Sequence, residues 1–168
     1  TSTPGQSSAA SDVYKRQPLY WDLDDGATLT SSLLSSQQLL AVHQLLDRVA
    51  DRQRQDFGNI VSDVKADGSL ITSCDRWSDA ALVKGLAALA PGEFTLSEEG
   101  ETCCPSSSAF WVVDPLDGTT NFAAGIPYWA ISVARFVDGQ PAEAFLEIPS
   151  LRQRIVAVSY THLRAHET

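Results

Sequence analysis

Apolar positions recur along this chain in two rhythms, and each rhythm predicts an element. From Gln37 to Asp56, Leu39, Leu40, Val42, Leu45, Leu46 and Val49 follow helical spacing with Gln, Arg and Asp opposite them. That spacing predicts an amphipathic helix, capped by Ser35 or Ser36 and stopped near Gly58. Asp67-Gly68 separates Val64 from the run Leu70 to Thr72, the pattern of a hairpin. A second helix opens at Asp75, carries Leu82, Leu86 and Leu89 on one face and ends at Pro91-Gly92. Strands are expected at Phe94 to Ser97 and at "AFWVVD", Ala109 to Asp114, which is apolar enough to be buried on both faces. Tyr128 to Val137 reads as a further strand, Asp138-Gly139 as a tight turn, and Ala142 to Ile148 as the antiparallel partner. Helix, hairpin, helix and then strands make an α+β order with two helices and an antiparallel sheet.

The ends of the chain break this pattern. Asp12 to Gln17 reads "DVYKRQ" and Val158 to His162 reads "VSYTH". Written back into codons, GATGTGTATAAGAGACAG encodes the first, and its reverse complement, read from the third base, encodes the second. The two ends are therefore expected to be one DNA element in opposite orientations, as in the paired adapters of a transposon-made sequencing library. On that reading residues 1–17 form an adapter-derived tail that is disordered, residues 158–168 are a further adapter-derived tail, and residues 18–157 are the protein proper. Between the first tail and the first helix, Pro18 to Ser36 is polar, and its acidic cluster Asp22, Asp24 and Asp25 reads as a solvated loop.

Charge narrows the partners. The chain has a formal net charge of -9. Without the tails, which hold Asp12, Lys15, Arg16, Arg164 and Glu167, it becomes -10. Such an acidic surface argues against nucleic acid or an anionic membrane as a partner, and it repels a phosphate unless cations reverse the local sign. Three cysteines, Cys74, Cys103 and Cys104, with no signal-like segment and no apolar run of bilayer length, indicate a reduced, cytoplasmic setting. No second Cys/His pair stands at zinc-site spacing from Cys103-Cys104. His43 falls on the first helix and His162 and His166 in the tail, so no catalytic histidine is expected.

The chemistry concentrates in "WVVDPLDGTTNF", Trp111 to Phe122. Pro115 has no N–H and a fixed φ, which helps end the strand and turn the chain. The turn can bring the Asp114 and Asp117 carboxylates and the Leu116 carbonyl to one point, a corner suited to Mg²⁺, which prefers a few carboxylates plus water and substrate oxygens. Gly118 permits close backbone approach, and the N–H groups of Gly118, Thr119 and Thr120 could face an anion if a helix begins there. A plain Asp-Gly turn is the alternative account. Upstream, "LITSCD" places Thr72 and Asp75 at a helix start, where Asp75 could simply be the N-cap. "SEEGE" places Glu98 and Glu99 after a strand, where a charged loop would also suffice.

Taken in order, these segments resemble the inositol monophosphatase family, Mg²⁺-dependent, lithium-sensitive phosphomonoesterases. The Thr-Thr-Asn-Phe ending and "GIPYWAISVA" look most similar to its inositol and histidinol phosphate branch. A haloacid dehalogenase is excluded by spacing, because two residues rather than one separate Asp114 and Asp117. The resemblance implies a layered αβαβα sandwich of which residues 18–157 are the amino-terminal part. It implies metal ligation by Glu98, Asp114 and the Leu116 carbonyl, with a second ion between Asp114 and Asp117 and two or three Mg²⁺ in the complete site. It assigns Asp75 and Thr119, with Glu98, to water activation, Gly118, Thr119 and Thr120 to phosphate binding, and Glu99 and Thr72 to the surrounding shell. The implied substrate is a small polyol or sugar phosphate hydrolysed by metal-activated water, with no covalent phosphoenzyme. Histidinol phosphate, 3'-phosphoadenosine phosphate and a non-catalytic metal- or phosphate-binding module stay open, and a homodimer is allowed. The family's last metal ligand, an aspartate in a Trp-Asp-x-Ala-type segment, has no counterpart after Asp117. The chain as written is therefore expected to be a fragment with little or no phosphatase activity, whose strands near Phe136 and Phe145 lack neighbours and expose edges prone to aggregation.

Overall fold

A computed structural model describes residues 33–59, 62–64, 70–100 and 107–158 of the chain. Helix α1 spans Ser36–Asp56 behind Ser35, whose side chain accepts from the Gln38 amide while Gln38 returns a bond to the Ser35 backbone. That reciprocal box satisfies amides that a helix start leaves without partners. Its buried stripe is Val42, Leu45, Leu46, Val49, Ala50 and Gln53. Leu40, counted on that stripe from the sequence, is exposed instead, and the polar Gln53 is fully buried. Strands β1 (Ser62–Val64) and β2 (Leu70–Thr72) pair antiparallel, Val64 opposite Leu70. The Asp67-Gly68 turn expected between them lies outside the described residues.

Helix α2 runs Ser73–Leu89. Its N-cap is Thr72, not Asp75: the Thr72 side chain accepts from the Cys74 and Asp75 amides, and Asp75, three residues in, bonds back to the Thr72 backbone. The β-branched hydroxyl sits where the chain is still extended, whereas Asp75 already lies in the helix.

Five strands then build one sheet in the order β3-β4-β5-β6-β7, with ranges Phe94–Ser97, Ala109–Asp117, Ala130–Val137, Gln140–Ile148 and Gln153–Val158. A short helix, α3 (Thr119–Ala123), separates β4 from β5. All neighbours are antiparallel except β3 and β4, which run parallel. Asp138 and Gly139 take φ of 51° and 77°, the left-handed pair that a two-residue hairpin turn requires.

Strand β7 was not foreseen, and it changes the edges. Strands β5 and β6, expected to lack neighbours, are flanked on both sides, and the open edges among the described residues are β3 and β7. Arg154 ties β7 to β6 and to α1, donating from Nε to Glu147 of β6 at 2.7 Å and from Nη2 to Asp47 of α1 at 2.7 Å, with Nη1 2.7 Å from His43 Nδ1 on the same helix. His43 thereby serves packing at the edge of the core.

Both long helices cover one face of the sheet. Trp111, Val113, Ile131, Val133 and Phe145 meet Val42, Leu46, Val49, Leu82 and Leu86 in one core. On the opposite face Phe110, Val112, Ala134 and Phe136 are half-buried, so β4 is not covered equally on both sides as its composition suggested. A second cluster, Cys74, Leu116, Phe122 and Trp129 with Phe57 against it, lies where α2, the end of β4 and α3 meet.

Leu46 is fully buried at the centre of the helix–sheet contact. Leu46→Ala should cost about 2–5 kcal/mol, the transfer term plus an unfilled cavity. Urea titration followed by circular dichroism measures it as a lower midpoint with an unchanged slope.

Candidate functional site

The end of β4 departs from what its proline suggested. Asp114 pairs with Ser132, the register then shifts, and pairing resumes at Asp117 opposite Ala130. Pro115 therefore does not end the strand; it sits in a bulge, where its missing N–H interrupts no ladder bond. A bulge turns side chains away from the regular alternation, and here it brings Asp114 and Asp117 to one opening. The Leu116 amide donates to Asp114 Oδ1 at 3.1 Å, which braces the first carboxylate.

Glu98, Asp114, Leu116, Asp117, Gly118, Thr119 and Thr120, with Leu70, line one open cleft of about 360 Å³. Glu99 is not on its wall. Leu70, not singled out from the sequence, is there because β2, which starts at Leu70, packs beside α3. Among the described residues no three His, Cys, Asp or Glu side chains form a ready-made cation cage; Glu98 and Asp117 are exposed and Asp114 half-buried. Electrostatics nevertheless couple them. Burial first, then the charges of Glu98 and Asp117 and a hydrogen bond with Glu98, push the Asp114 carboxyl up to about 7. Like charges crowded at a half-buried opening favour the neutral form of one member.

Asp75 belongs to the same region although it is almost completely buried. Its Oδ2 accepts from the Thr72 amide at 2.8 Å and from the Thr72 hydroxyl, and its Oδ1 lies 2.7 Å from Thr119 Oγ1. Three donors satisfy a carboxylate that could not otherwise stay buried. Thr119 Oγ1 is also 3.1 Å from the Leu116 carbonyl. Its single proton serves Asp75, the shorter contact, and its lone pairs remain for a donor in the cleft.

Gly118 is the N-cap of α3 with φ 96°. A Cβ there would stand 3.1 Å from the Tyr128 carbonyl and 3.4 Å from Trp129 Cα, so both backbone conformation and close approach call for glycine. The side-chain groups on the cleft wall that could ligate a cation are all oxygens. The nearby Cys74 is a buried free thiol pushed up to about 12, chiefly by burial, and so stays protonated. Cys103 and Cys104 lie outside the described residues.

Comparison with known proteins places the chain in one family. The profile of the inositol monophosphatase family matches residues 32–163. The histidinol-phosphatase of Mycobacterium tuberculosis is 32% identical over 123 residues, covering 72% of this chain and 47% of that protein. An inositol-1-monophosphatase of Mesorhizobium japonicum is 35% identical over 101 residues, 58% of this chain and 38% of that one. Among solved structures, the extragenic suppressor protein suhB of Bartonella henselae superposes with a TM-score of 0.69 at 26% identity, over 75% of this chain and 50% of its own. The chain spans about half the length, or less, of the relatives it matches. Because the family match runs through both long helices and every strand of the sheet, this chain belongs to the inositol monophosphatase family.

Proposed function

We propose that these residues are the cation- and phosphate-holding part of a phosphomonoesterase acting on a small polyol, sugar or histidinol phosphate. The observation that carries the reading is the 2.7 Å contact between Thr119 Oγ1 and Asp75 Oδ1, opening onto the cleft shared by Glu98, Asp114 and Asp117. An acidic cleft repels a phosphate: two unit charges at 4 Å interact by about 4 kcal/mol at an effective dielectric near 20. Glu98, Asp114, Asp117 and the Leu116 carbonyl, all hard oxygens, would hold Mg²⁺. When bound, Mg²⁺ supplies positive charge against phosphate oxygens and acidifies water.

The chain's own groups do the rest. Thr119, donating to Asp75, offers lone pairs to a water in the cleft and so orients it. Asp75, the acceptor behind Thr119, can take up the proton that passes through the hydroxyl as the water oxygen bonds to phosphorus and the ester P–O bond breaks, its electron pair leaving on the alcohol oxygen, which takes a proton from solvent. Amides of Gly118, Thr119 and Thr120 at the start of α3 are available to phosphate oxygens. We place this chemistry in the cytoplasm, where the Cys74 thiol stays reduced. Kinship with a histidinol-phosphatase at 32% identity and with inositol monophosphatases at similar identity supports both substrate classes.

The 168-residue chain should gain thermal stability with Mn²⁺ or Mg²⁺, about 2.7 kcal/mol at a hundredfold excess over Kd. Asp114→Asn should lose that gain, and inorganic phosphate should bind by calorimetry only with the cation present. Equal responses of the two proteins to Mn²⁺, or phosphate binding indifferent to it, would sink the reading.

Asp114 sets a pH dependence. Its folded-state pKa is raised from 3.8 to about 7, so between these values the folded chain holds the extra proton. The contribution of Asp114 to cation-free stability is then greatest below the lower value and is lost as pH rises through the window. Cation affinity moves the opposite way, rising as pH climbs through about 7, because the cation displaces that proton. Thermal melts of the chain and Asp114→Asn, with and without Mn²⁺, check both signs; the Asn variant should lose this contribution.

A further inference from the structure

Gln53 is a polar side chain with no exposed surface, on the core face of α1. Its Nε2 donates to the Pro115 carbonyl at 2.8 Å and to Ser78 Oγ at 3.1 Å. Its Oε1 accepts from Trp129 Nε1 at 3.0 Å. The orientation of the amide is unambiguous, because an indole N–H can only donate and a proline carbonyl can only accept. Both amide protons and one oxygen lone pair are therefore engaged inside a region that water does not reach. A leucine of similar volume would fill the space but leave a carbonyl, a hydroxyl and an indole N–H without this partner.

The three partners have one thing in common. Pro115 lies in the β4 bulge, between Asp114 and the Leu116–Asp117 pair, where no cross-strand register holds the backbone. Ser78 lies one turn after Asp75 on α2 and shares its buried face. Trp129 precedes β5, packs with Leu116 and Phe122, and forms part of the backbone that Gly118 approaches. A single side chain thus connects the elements that carry Asp114, Asp117, Asp75 and Gly118. The Pro115 carbonyl is drawn inward to Gln53, while the next carbonyl, that of Leu116, lies by Thr119 on the cleft wall.

From this we infer that Gln53 is the positioning residue of the cation loop: by anchoring the Pro115 carbonyl it sets the direction of the Leu116 carbonyl and of the flanking carboxylates. The inference rests on the cation-binding reading above. It also explains an otherwise costly choice, since directional bonds are what a buried amide offers that a hydrophobic side chain does not. The bulge needs such an anchor because Pro115 has no N–H and no cross-strand pairing is held between Asp114 and Asp117.

The test measures Mn²⁺ binding by electron paramagnetic resonance on the 168-residue chain at pH 7.5, with circular dichroism to establish the fold. Gln53→Leu should raise the Kd by about tenfold or more, the size of effect seen when groups supporting metal ligands are lost. Trp129→Phe keeps the aromatic packing, frees the amide oxygen and should weaken binding less, by roughly threefold on the same scale. Leu46→Ala, a core change on the same helix, controls for lost stability and should leave the Kd within about twofold. A folded Gln53→Leu that binds as the parent chain does, or a Leu46→Ala that weakens binding equally, overturns the inference. If Gln53→Leu does not fold, Trp129→Phe decides, and an unchanged Kd again overturns it. A parent chain that does not bind Mn²⁺ at all removes the cation reading itself and this inference with it; that failure is seen before any Gln53 variant is made.

Discussion

The bulge at Pro115 is the constraint on which the site depends. Strand β4 is in the core through Trp111 and Val113, which face the helices, and regular alternation would send Asp114 and Leu116 to the opposite face together. One shift of register after Asp114 breaks that alternation. Leu116 returns to the buried cluster with Phe122 and Trp129, while Asp114 and Asp117 open onto the same cleft. Proline is suited to this place because the position has no ladder bond to lose. The chain can then turn at once through Gly118 into α3, bringing Thr119 within 2.7 Å of Asp75.

Electrostatic tension follows from that geometry. Glu98 from the end of β3, together with Asp114 and Asp117, places three acidic groups at one half-open cleft, and Asp114 answers by holding its proton up to about pH 7. Asp75 meets the same problem differently: buried among three hydrogen-bond donors, it is compensated by the protein itself. One carboxylate is thus internally satisfied and braces a hydroxyl, while the others present negative charge to the cleft. On the proposed reading, Asp75 and Thr119 handle the proton and the acidic groups of the cleft handle the cation.

Much of this was legible in the primary structure. Both long helices, the hairpin strands, β3 to β6 and the Asp138-Gly139 turn follow from apolar periodicity and turn residues, and "DPLDGTT" marked the cleft. Misjudgements share a cause. Leu40 and Gln53 were read by their chemistry, yet helix rotation against the sheet decided which of them is buried. Asp75 was offered as a cap because it is a good capping residue, but Thr72, adjacent to it in function and earlier in the chain, took the role. Strand β7 has an exposed, weakly apolar sequence, with Ile155 and Val156 both open to solvent, so its order depends on pairing with β6 and on Arg154 reaching α1. Periodicity cannot report either.

The sequence by itself determined the two long helices, the strands from β1 to β6 and the family, because these depend on local spacing and on residue type. Only the tertiary structure decided that Pro115 sits within a strand, that Asp75 and Thr119 meet across 44 residues of chain, and that Gln53 reaches the bulge from 62 residues away. Hydrogen bonds of that range arise from how helices pack on a sheet, and packing is a property of the assembled layers.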